Sequence, residues 1–479
     1  MKAGTRIAHR YVVEGPLGTG GLATALRVRD LLFGVDVALK LVERPSPQHP
    51  SPAALDDVLR REFLALRTIH HPRVVRVHDF GYWRDLGGDH IRAFYTCSII
   101  DGVDLARFAK GRTWKDVAQP IGDVLSALAS LHRRGLLHGD VHPGNVLVER
   151  SGRAVLIDLS CSRPLAERTV HDVSGTHGFV APELLSGIVH RTADLYGLGM
   201  ALRAIDVALP AKVARAVDRL VALRPEDRPQ SAEEAAELLD VPWSRPPASD
   251  LLGSSLVGRD GALGQVRSVL EATLARTAGP RVVTVHGAEG VGRTRVLEEV
   301  KTEAQLRMDA VLVRGDRSDA VSKMLAMVLG EAVDVTSTAA VLRAAERLAA
   351  LREPIVLLVD DADELPAVEH ARLGVLTRSL PRDAAVAVVL ASRSALHLAN
   401  DGIDIELAAL DLRELRSWLR AEVPEHALRE IVRATGGYPK EVSALLTQLD
   451  AREWDSRALE RAIDAASATR TWPRPHRAR

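Results

Sequence analysis

The sequence lacks several features that mark specialised classes of protein. Its 479 residues contain only two cysteines, Cys97 and Cys161, which form no CxxC pair, so reduced thiols inside a cell are indicated. Aromatic residues make up 4% of the chain and the formal net charge is +0, so no strong basic field indicates a nucleic-acid partner. The longest apolar run, around residues 384–391, is too short to cross a bilayer. We therefore expect a cytoplasmic globular protein with no membrane span and no nucleic-acid partner.

The length of the chain and one Pro- and Ser-rich segment predict more than one domain. A chain of 479 residues is too long for a single hydrophobic core. Pro and Ser concentrate in "VPWSRPPASDLLGSS", and this composition is typical of a linker. The predicted units are residues 1–240, a linker at 241–255, an α/β domain at 256–405, a helical lid at 406–466 and a basic, disordered tail at 467–479.

Lysine is also scarce, because only eight of the 63 basic residues are lysine, so a lysine at a motif position carries extra weight. One of the eight, Lys40, ends the strand-like run "VDVALK". That run follows "GPLGTGGLATALRVRD", in which glycines allow a hairpin tip to lie close over phosphates. A plain hairpin turn explains the glycines about as well. Glu62, on the predicted helix bearing "RREFLAL", is placed to pair with Lys40, although an exposed helix charge is the alternative.

Six further blocks occur in a fixed order along the first half. They are "HHPRVVRVHDFG", "LHRRGLLHGDVHPGNVLV", "AVLIDLS", "GTHGFVAPE", "RTADLYGLG" and "RPEDRP". In order and spacing they resemble a bacterial serine/threonine protein kinase over about 240 residues. The resemblance implies an α+β protein kinase bilobal fold, ATP with Mg²⁺ or Mn²⁺ as cofactors, and a protein substrate whose identity the sequence does not reveal.

The resemblance also implies the role of each motif residue. The catalytic residues would be Asp140, Lys40 and His142, with Asp140 accepting or orienting the proton of the substrate hydroxyl. Mg²⁺ would be held by Asn145 and Asp158. Cys97 would stand at the back of the adenine pocket, before a hinge that binds adenine through its backbone. ATP would be bound by Gly18, Gly20, Gly21, Ala38, Lys40, Glu62, Ser98, Ile100 and Asp104.

Two residues of the catalytic loop depart from the usual kinase pattern. Gly139 replaces an Arg before Asp140, so activity should not depend strongly on a phosphorylated activation segment. His142 replaces a Lys, and a His can assist phosphoryl transfer only when protonated or as a hydrogen-bond donor. "HGDVHPGN" also resembles the loop of small-molecule phosphotransferases, but "GTHGFVAPE" and "RPEDRP" favour a protein substrate. A pseudokinase that binds without phosphotransfer is the remaining alternative.

The second half carries a glycine-rich loop between a strand and a helix. "RVVTVHGAEGVGRTR" resembles a P-loop in which Gly287, Gly292 and Thr294 are in register and Arg293 replaces the lysine. "PIVLLVDDADE" resembles a Walker B strand. The resemblance implies that Asp360 would bind Mg²⁺ together with Thr294 and that Asp361 would polarise the attacking water.

With "LVGRD", "VVLASRS" and "GGYP", these motifs resemble the AAA-like ATPase modules of signalling proteins. The second half is therefore expected to be an α/β P-loop NTPase domain with a helical lid. The whole chain is predicted to be a serine/threonine kinase coupled to a degenerate nucleotide-binding regulatory module. The alternative is a signalling scaffold in which neither half carries out chemistry.

Overall fold

The computed structural model describes residues 1–19, 23–42, 52–84, 91–167, 175–243, 252–253, 256–419, 423–449 and 454–468. In those residues the chain forms two lobes, a parallel α/β layer and a small helical bundle, in that order. None of the described helices is long and apolar enough to cross a membrane. Gly20, Gly21 and most of the predicted linker and tail lie outside the described residues.

The first lobe is an antiparallel sheet with one helix packed on it. The sheet order is β1-β2-β3-β4-β6-β5. Its strands alternate buried and exposed side chains, so that one face meets the helix and Phe63, Phe80 and Tyr95 fill the contact. The elements are β1 (Arg6–Ile7), β2 (Tyr11–Thr19), β3 (Ala23–Asp30), β4 (Val35–Val42), α1 (Pro52–Arg67), β5 (Val77–Arg84) and β6 (Ile91–Cys97).

The second lobe is mainly helical and is built around one long buried helix, α3. A Thr113–Asp116 capping box starts α3, and its apolar face packs in the same core as the first lobe. The elements are β7 (Gly102–Asp104), α2 (Leu105–Ala109), α3 (Trp114–Arg133), β8 (Leu136–Leu137), β9 (Val146–Glu149), β10 (Ala154–Leu156), β11 (Arg163–Pro164), α4 (Pro182–Leu185), α5 (Ala193–Ala204), α6 (Ala211–Leu220) and α7 (Ala232–Leu239).

The third unit is a five-stranded parallel sheet of order β13-β14-β15-β12-β16, with helices on both faces. The central strands are buried along their whole length, which explains their continuous Val, Leu and Ala runs. The elements are α8 (Asp260–Leu274), β12 (Val282–His286), α9 (Arg293–Gln305), β13 (Asp309–Arg314), α10 (Ala320–Leu329), α11 (Thr338–Ala349), β14 (Ile355–Asp360), α12 (Ala367–Ser379), β15 (Val386–Ser392) and β16 (Ile403–Glu406).

Four helices with a shared leucine-rich core follow this sheet. They are α13 (Leu412–Trp418), α14 (Glu425–Thr435), α15 (Pro439–Thr447) and α16 (Ser456–Ala468). The short stretch 252–253 lies against this bundle, where Trp418 Nε1 donates a 2.9 Å hydrogen bond to the Gly253 carbonyl. The lysine at the start of α15, Lys440, reaches Glu289 in the loop after β12, so the bundle covers one side of that loop.

Candidate active site and P-loop site

Lys40 lies between two carboxylates in the cleft between the first and second lobes. Its Nζ is 2.8 Å from Glu62 Oε1 on α1 and 3.0 Å from Asp158 Oδ2 in the loop after β10. The Tyr95 hydroxyl donates a 2.7 Å hydrogen bond to the same Glu62 oxygen. Glu62 is therefore a buried partner of Lys40 and not an exposed helix charge. Sequence reasoning missed Tyr95, because an aromatic residue in a strand usually signals core packing alone.

Burial and pairing shift the pKa values of these three groups. Burial would lower the pKa of Lys40, but the Glu62 and Asp158 carboxylates outweigh it and raise that pKa above its ordinary value. Burial raises the pKa of Glu62 to about 7, against the opposing effect of Lys40. Burial also opposes ionisation of Asp158, yet Lys40 and hydrogen bonds from Ser160 lower its pKa below the ordinary value. An ionised Asp158 beside a protonated Lys40 is therefore the stable arrangement.

Thr176 and Asn145 hold Asp140 in the loop before β9. Asp140 Oδ1 accepts a 2.7 Å hydrogen bond from the Thr176 backbone N–H, and Oδ2 accepts one of 3.1 Å from the Thr176 hydroxyl. Asn145 Nδ2 donates to the Asp140 carbonyl at 3.0 Å. Gly175 adopts φ +145°, which lets this segment pass close to Asp140. The Asp140 carboxylate is thus oriented by neutral donors.

The carboxylate of Asp194 supports the same loop through its backbone N–H groups. Asp194, fully buried near the start of α5, accepts hydrogen bonds from the backbone N–H groups of His138 at 2.9 Å and Gly139 at 2.8 Å. Gly139 adopts φ +81°, and a Cβ atom there would lie 2.5 Å from the Cys161 carbonyl oxygen. The loop therefore has room only for glycine at this position. The backbone conformation therefore excludes the Arg that usually precedes the catalytic Asp in this family.

His142 lies beside Asp140 as a neutral hydrogen-bond donor. Its Nδ1 accepts a 3.1 Å hydrogen bond from the Gly144 backbone N–H, so Nε2 carries the ring proton, and Nε2 is 3.6 Å from Asp140 Oδ2. Burial lowers the pKa of His142 although Asp140 opposes the shift. Of the two roles open to this histidine, the geometry favours hydrogen-bond donation over permanent charge.

The residues expected around adenine line one edge of the same cleft. Ala38 on β4 pairs with Cys97 on β6, and burial raises the pKa of the Cys97 thiol to about 12. Ser98 and Ile100 follow directly, and the Ser98 N–H donates a 2.9 Å hydrogen bond to the Arg76 carbonyl. The Asp104 side chain caps α2 by accepting from Arg107 N at 2.9 Å. Gly18 lies in the β2–β3 hairpin opposite Ala25, whereas Gly20 and Gly21 lie outside the described residues.

The loop between β12 and α9 forms the second site. Gly287 and Gly292 adopt φ +151° and +102°, and Gly292 caps α9, so the first N–H groups of the helix face the loop. The Thr294 hydroxyl is hydrogen bonded to Asp360, which ends β14. The two elements that a P-loop site requires are therefore in contact. Burial raises the pKa of Asp360, while the hydrogen bond from Thr294 opposes the shift.

Arg293 replaces the lysine of this loop, and its side chain is directed toward Asp361, the carboxylate that directly follows β14. Its Nη2 is 3.3 Å from Asp361 Oδ1, and the residue is 91% buried. Nη1 is buried and has no hydrogen-bond partner among the described residues. A buried donor without a partner is costly, so this position favours an anion.

Comparison with known families agrees with both halves of the structure. The protein kinase domain family matches residues 11–230, and an AAA domain family matches residues 276–398. The chain is a protein kinase domain joined to an AAA domain. The predicted fold class, a bilobal kinase fold followed by an α/β P-loop domain, is confirmed.

Relatives of the kinase domain include bacterial serine/threonine kinases. A DNA damage-responsive serine/threonine-protein kinase, RqkA of Deinococcus radiodurans, is 30% identical over 50% of this chain and 40% of its own length. The serine/threonine-protein kinase PknD of Mycobacterium tuberculosis is 27% identical over 63% of this chain and 41% of its own length. The chain thus spans about two fifths of these relatives. The PknI kinase domain of Mycobacterium tuberculosis, whose crystal structure is known, is 25% identical in sequence. The match has a TM-score of 0.39 and covers 50% of this chain and 98% of the PknI chain.

The kinase domain and the AAA domain meet through a buried charge cluster that sequence reasoning missed. Asp79 on β5 of the kinase domain lies 3.1 Å from Lys301 Nζ and accepts a 3.0 Å hydrogen bond from Gln305 Nε2, both on α9 of the AAA domain. Arg10 Nη2 completes the cluster at 3.0 Å from Asp79. The one available signal was that Lys301 is one of only eight lysines.

Proposed function

We propose that the kinase domain transfers the γ-phosphoryl group of ATP to serine or threonine hydroxyls of proteins. The observation that carries this proposal is that Lys40 lies between Glu62 and Asp158 while Thr176 and Asn145 hold Asp140. In a kinase these contacts are the arrangement needed to place the phosphates and the attacking hydroxyl. The groups that hold Asp140 are neutral donors of Thr176 and Asn145, which supports activity without the usual Arg before Asp140.

Each residue then has one role in the transfer. Lys40 binds the α- and β-phosphates, and Glu62 with Tyr95 keeps its ammonium group in place. Asp140 orients the substrate hydroxyl and accepts its proton, while the His142 Nε2–H donates to the transferred phosphoryl group. The Asp158 carboxylate and the Asn145 amide oxygen are hard oxygen donors that suit Mg²⁺ or Mn²⁺. A metal ion bound there would neutralise charge on the β- and γ-phosphates.

Incorporation of γ-labelled ATP into the full chain and into a generic protein substrate tests this proposal. Wild type should incorporate label on Ser or Thr, and Asp140→Asn should abolish it because the proton acceptor is lost. Asp101→Asn, which changes an exposed carboxylate near the hinge, is the matched control and should behave as wild type. Binding of ATP by wild type without any incorporation would instead favour the scaffold without phosphotransfer.

We further propose that the AAA domain binds ATP or ADP and hydrolyses ATP very slowly. The glycine conformations, the Thr294–Asp360 hydrogen bond and the unpartnered Arg293 Nη1 support binding of a phosphate anion. The Arg293–Asp361 ion pair argues against fast turnover, since it engages the acid that would polarise the attacking water. The planar guanidinium also fits a γ-phosphate less closely than an ammonium group does.

Arg293→Lys tests the hydrolysis part of this second proposal. In an Asp140→Asn background, which removes phosphotransfer, the rate of ADP formation should rise when Arg293 is replaced by Lys. Arg267→Lys, at an exposed position of α8 outside the cleft, is the control and should leave the rate unchanged. If the full chain shows no nucleotide binding that depends on Arg293, the proposal for the AAA domain is wrong.

A further inference from the structure

A cleft of about 1690 Å³ separates the P-loop of the AAA domain from the back of the kinase domain. One wall carries Gly292, Arg293 and Thr294 of the P-loop, and the opposite wall carries His70 and Arg76 from the connection between α1 and β5. The P-loop therefore opens toward the kinase domain. The volume exceeds the range of about 300–1,000 Å³ typical of small-molecule sites, so a nucleotide fits within it.

Buried contacts keep the two walls facing each other. The Asp79–Lys301 ion pair lies on one side, with both side chains less than 10% exposed. Arg67 at the end of α1 forms an ion pair with Glu299 on α9, and Arg295 Nη1 is 3.5 Å from the same glutamate. Because Arg295 directly follows Thr294, the end of α1 lies within about one to two helical turns of the phosphate-binding loop.

Arg and Lys side chains from both domains outnumber carboxylates in the lining of the cleft, although Glu298 and Asp361 also line it. Arg67, Arg76 and Arg134 of the kinase domain line it, and Arg293 and Arg295 line it from α9. Desolvation lowers the pKa of His70, and the positive charges of Arg295, Arg76 and Arg134 lower it further. Arg293 also contributes the buried Nη1 that has no partner among the described residues. Arg67 and Arg295 already pair with Glu299, so Arg76 and Arg293 Nη1 are the groups that a phosphate ligand would bring together across the cleft.

We propose that the cleft is a composite nucleotide site, in which a nucleoside di- or triphosphate bound by the P-loop also interacts with Arg76 of the kinase domain. The proposal rests on nucleotide binding by the AAA domain. The P-loop amides and Arg293 hold the phosphates, and Arg76 adds positive charge from the opposite wall. The backbone carbonyl of Arg76 accepts the Ser98 N–H hydrogen bond, so this ligand would lie directly behind the hinge of the kinase cleft.

Calorimetric titration of the full chain with ADP tests this composite site. The binding event lost in both Arg293→Ala and Thr294→Val is assigned to the AAA site, and the event lost in Asp158→Ala is assigned to the kinase cleft. Arg76→Ala should weaken the Arg293-dependent event about fivefold, Arg76→Glu should weaken it by more than tenfold, and Arg76→Lys should retain most of the affinity. Arg60→Ala and Arg60→Glu, at an exposed kinase residue outside the cleft, should leave this event unchanged.

The outcomes separate this proposal from the one on which it rests. If the Arg293-dependent event has the same affinity in the Arg76 variants as in wild type, the composite site is wrong while nucleotide binding by the AAA domain stands. If no Arg293-dependent event exists, both proposals are wrong. Thermal melts of the Arg76 and Arg60 variants should match wild type, since both side chains are exposed and only the backbone of Arg76 bonds Ser98. If Arg76→Ala alters the melting temperature, the ADP affinities of Arg76→Lys and Arg76→Gln are compared instead. Equal affinities in these two variants would overturn the composite site.

Discussion

His142 is expected to act through its N–H group and not through a permanent charge. Its pKa is lowered from the ordinary value near 6.5 by burial, so the ring is neutral at pH 7 and becomes protonated only below that value. Between pH 6.5 and 8.5, kcat of wild type and of His142→Lys should therefore change with pH in the same way. His142→Lys should retain or exceed the wild-type rate, and His142→Ala should lose about 10²-fold in kcat.

Steady-state kinetics across that pH range checks the prediction for His142. A decline in wild-type kcat near pH 7 that is absent in His142→Lys would show that the histidine works as a charged group. Equal kcat in wild type and His142→Ala would show that the side chain is a spectator.

Gly139 is expected to tolerate no side chain. Gly139→Ala combines a left-handed backbone with a contact of 2.5 Å to the Cys161 carbonyl, so it should lower the free energy of unfolding by about 1–3 kcal/mol. Gly152→Ala is the matched control, because Gly152 has φ +78° and no atom within 4 Å of the added Cβ. Denaturant titration of both variants isolates the cost of the contact. Equal losses would mean that the backbone conformation alone requires glycine.

At the level of elements, α9 is expected to stabilise the kinase domain through Asp79. Lys301→Met removes one buried charge and leaves Asp79 with Arg10 and Gln305, which should cost about 3 kcal/mol. Lys323→Met, which breaks a partly exposed pair with Asp319, should cost less than about 1 kcal/mol. Denaturant titration of the full chain measures both, and hydrogen exchange should show faster opening of β5 in Lys301→Met only. Equal protection of β5 in the two variants would contradict the role given to α9.

The same cluster predicts an acid-sensitive contact between the domains. Burial opposes ionisation of Asp79, but Arg10 and Lys301 outweigh it and hold its pKa below the unfolded value of 3.8. A carboxyl with a lowered pKa contributes stability that is present above the unfolded pKa and is lost as the pH falls through the folded pKa. Wild type should therefore lose more stability than Asp79→Asn between pH 5 and pH 3. If the denaturation midpoints of the two proteins change by the same amount over this pH range, Asp79 makes no such contribution.

At the level of the whole molecule, the two nucleotide sites are expected to be coupled. The Arg76 carbonyl accepts from Ser98 of the hinge, while the Arg76 side chain lines the cleft that faces the P-loop. If a nucleotide in the cleft shifts this connection, the KM of the kinase for ATP should differ at least twofold between wild type and Arg293→Ala. Arg60→Ala is the control and should keep the wild-type KM. A KM that is equal in all three proteins would mean that the AAA site does not affect ATP binding by the kinase domain.

The sequence by itself determined both families and the local chemistry of each site. The motif blocks around Asp140 and Gly292 depend on short-range spacing, and short-range spacing is what a sequence displays directly. The tertiary structure decided which side chains from distant segments meet. Tyr95 donates a hydrogen bond to Glu62 because β6 packs against α1. Asp79 accepts a hydrogen bond from Gln305 although 226 residues separate them. No periodicity or motif encodes such a contact, since it depends on how two domains bury charged surfaces against each other.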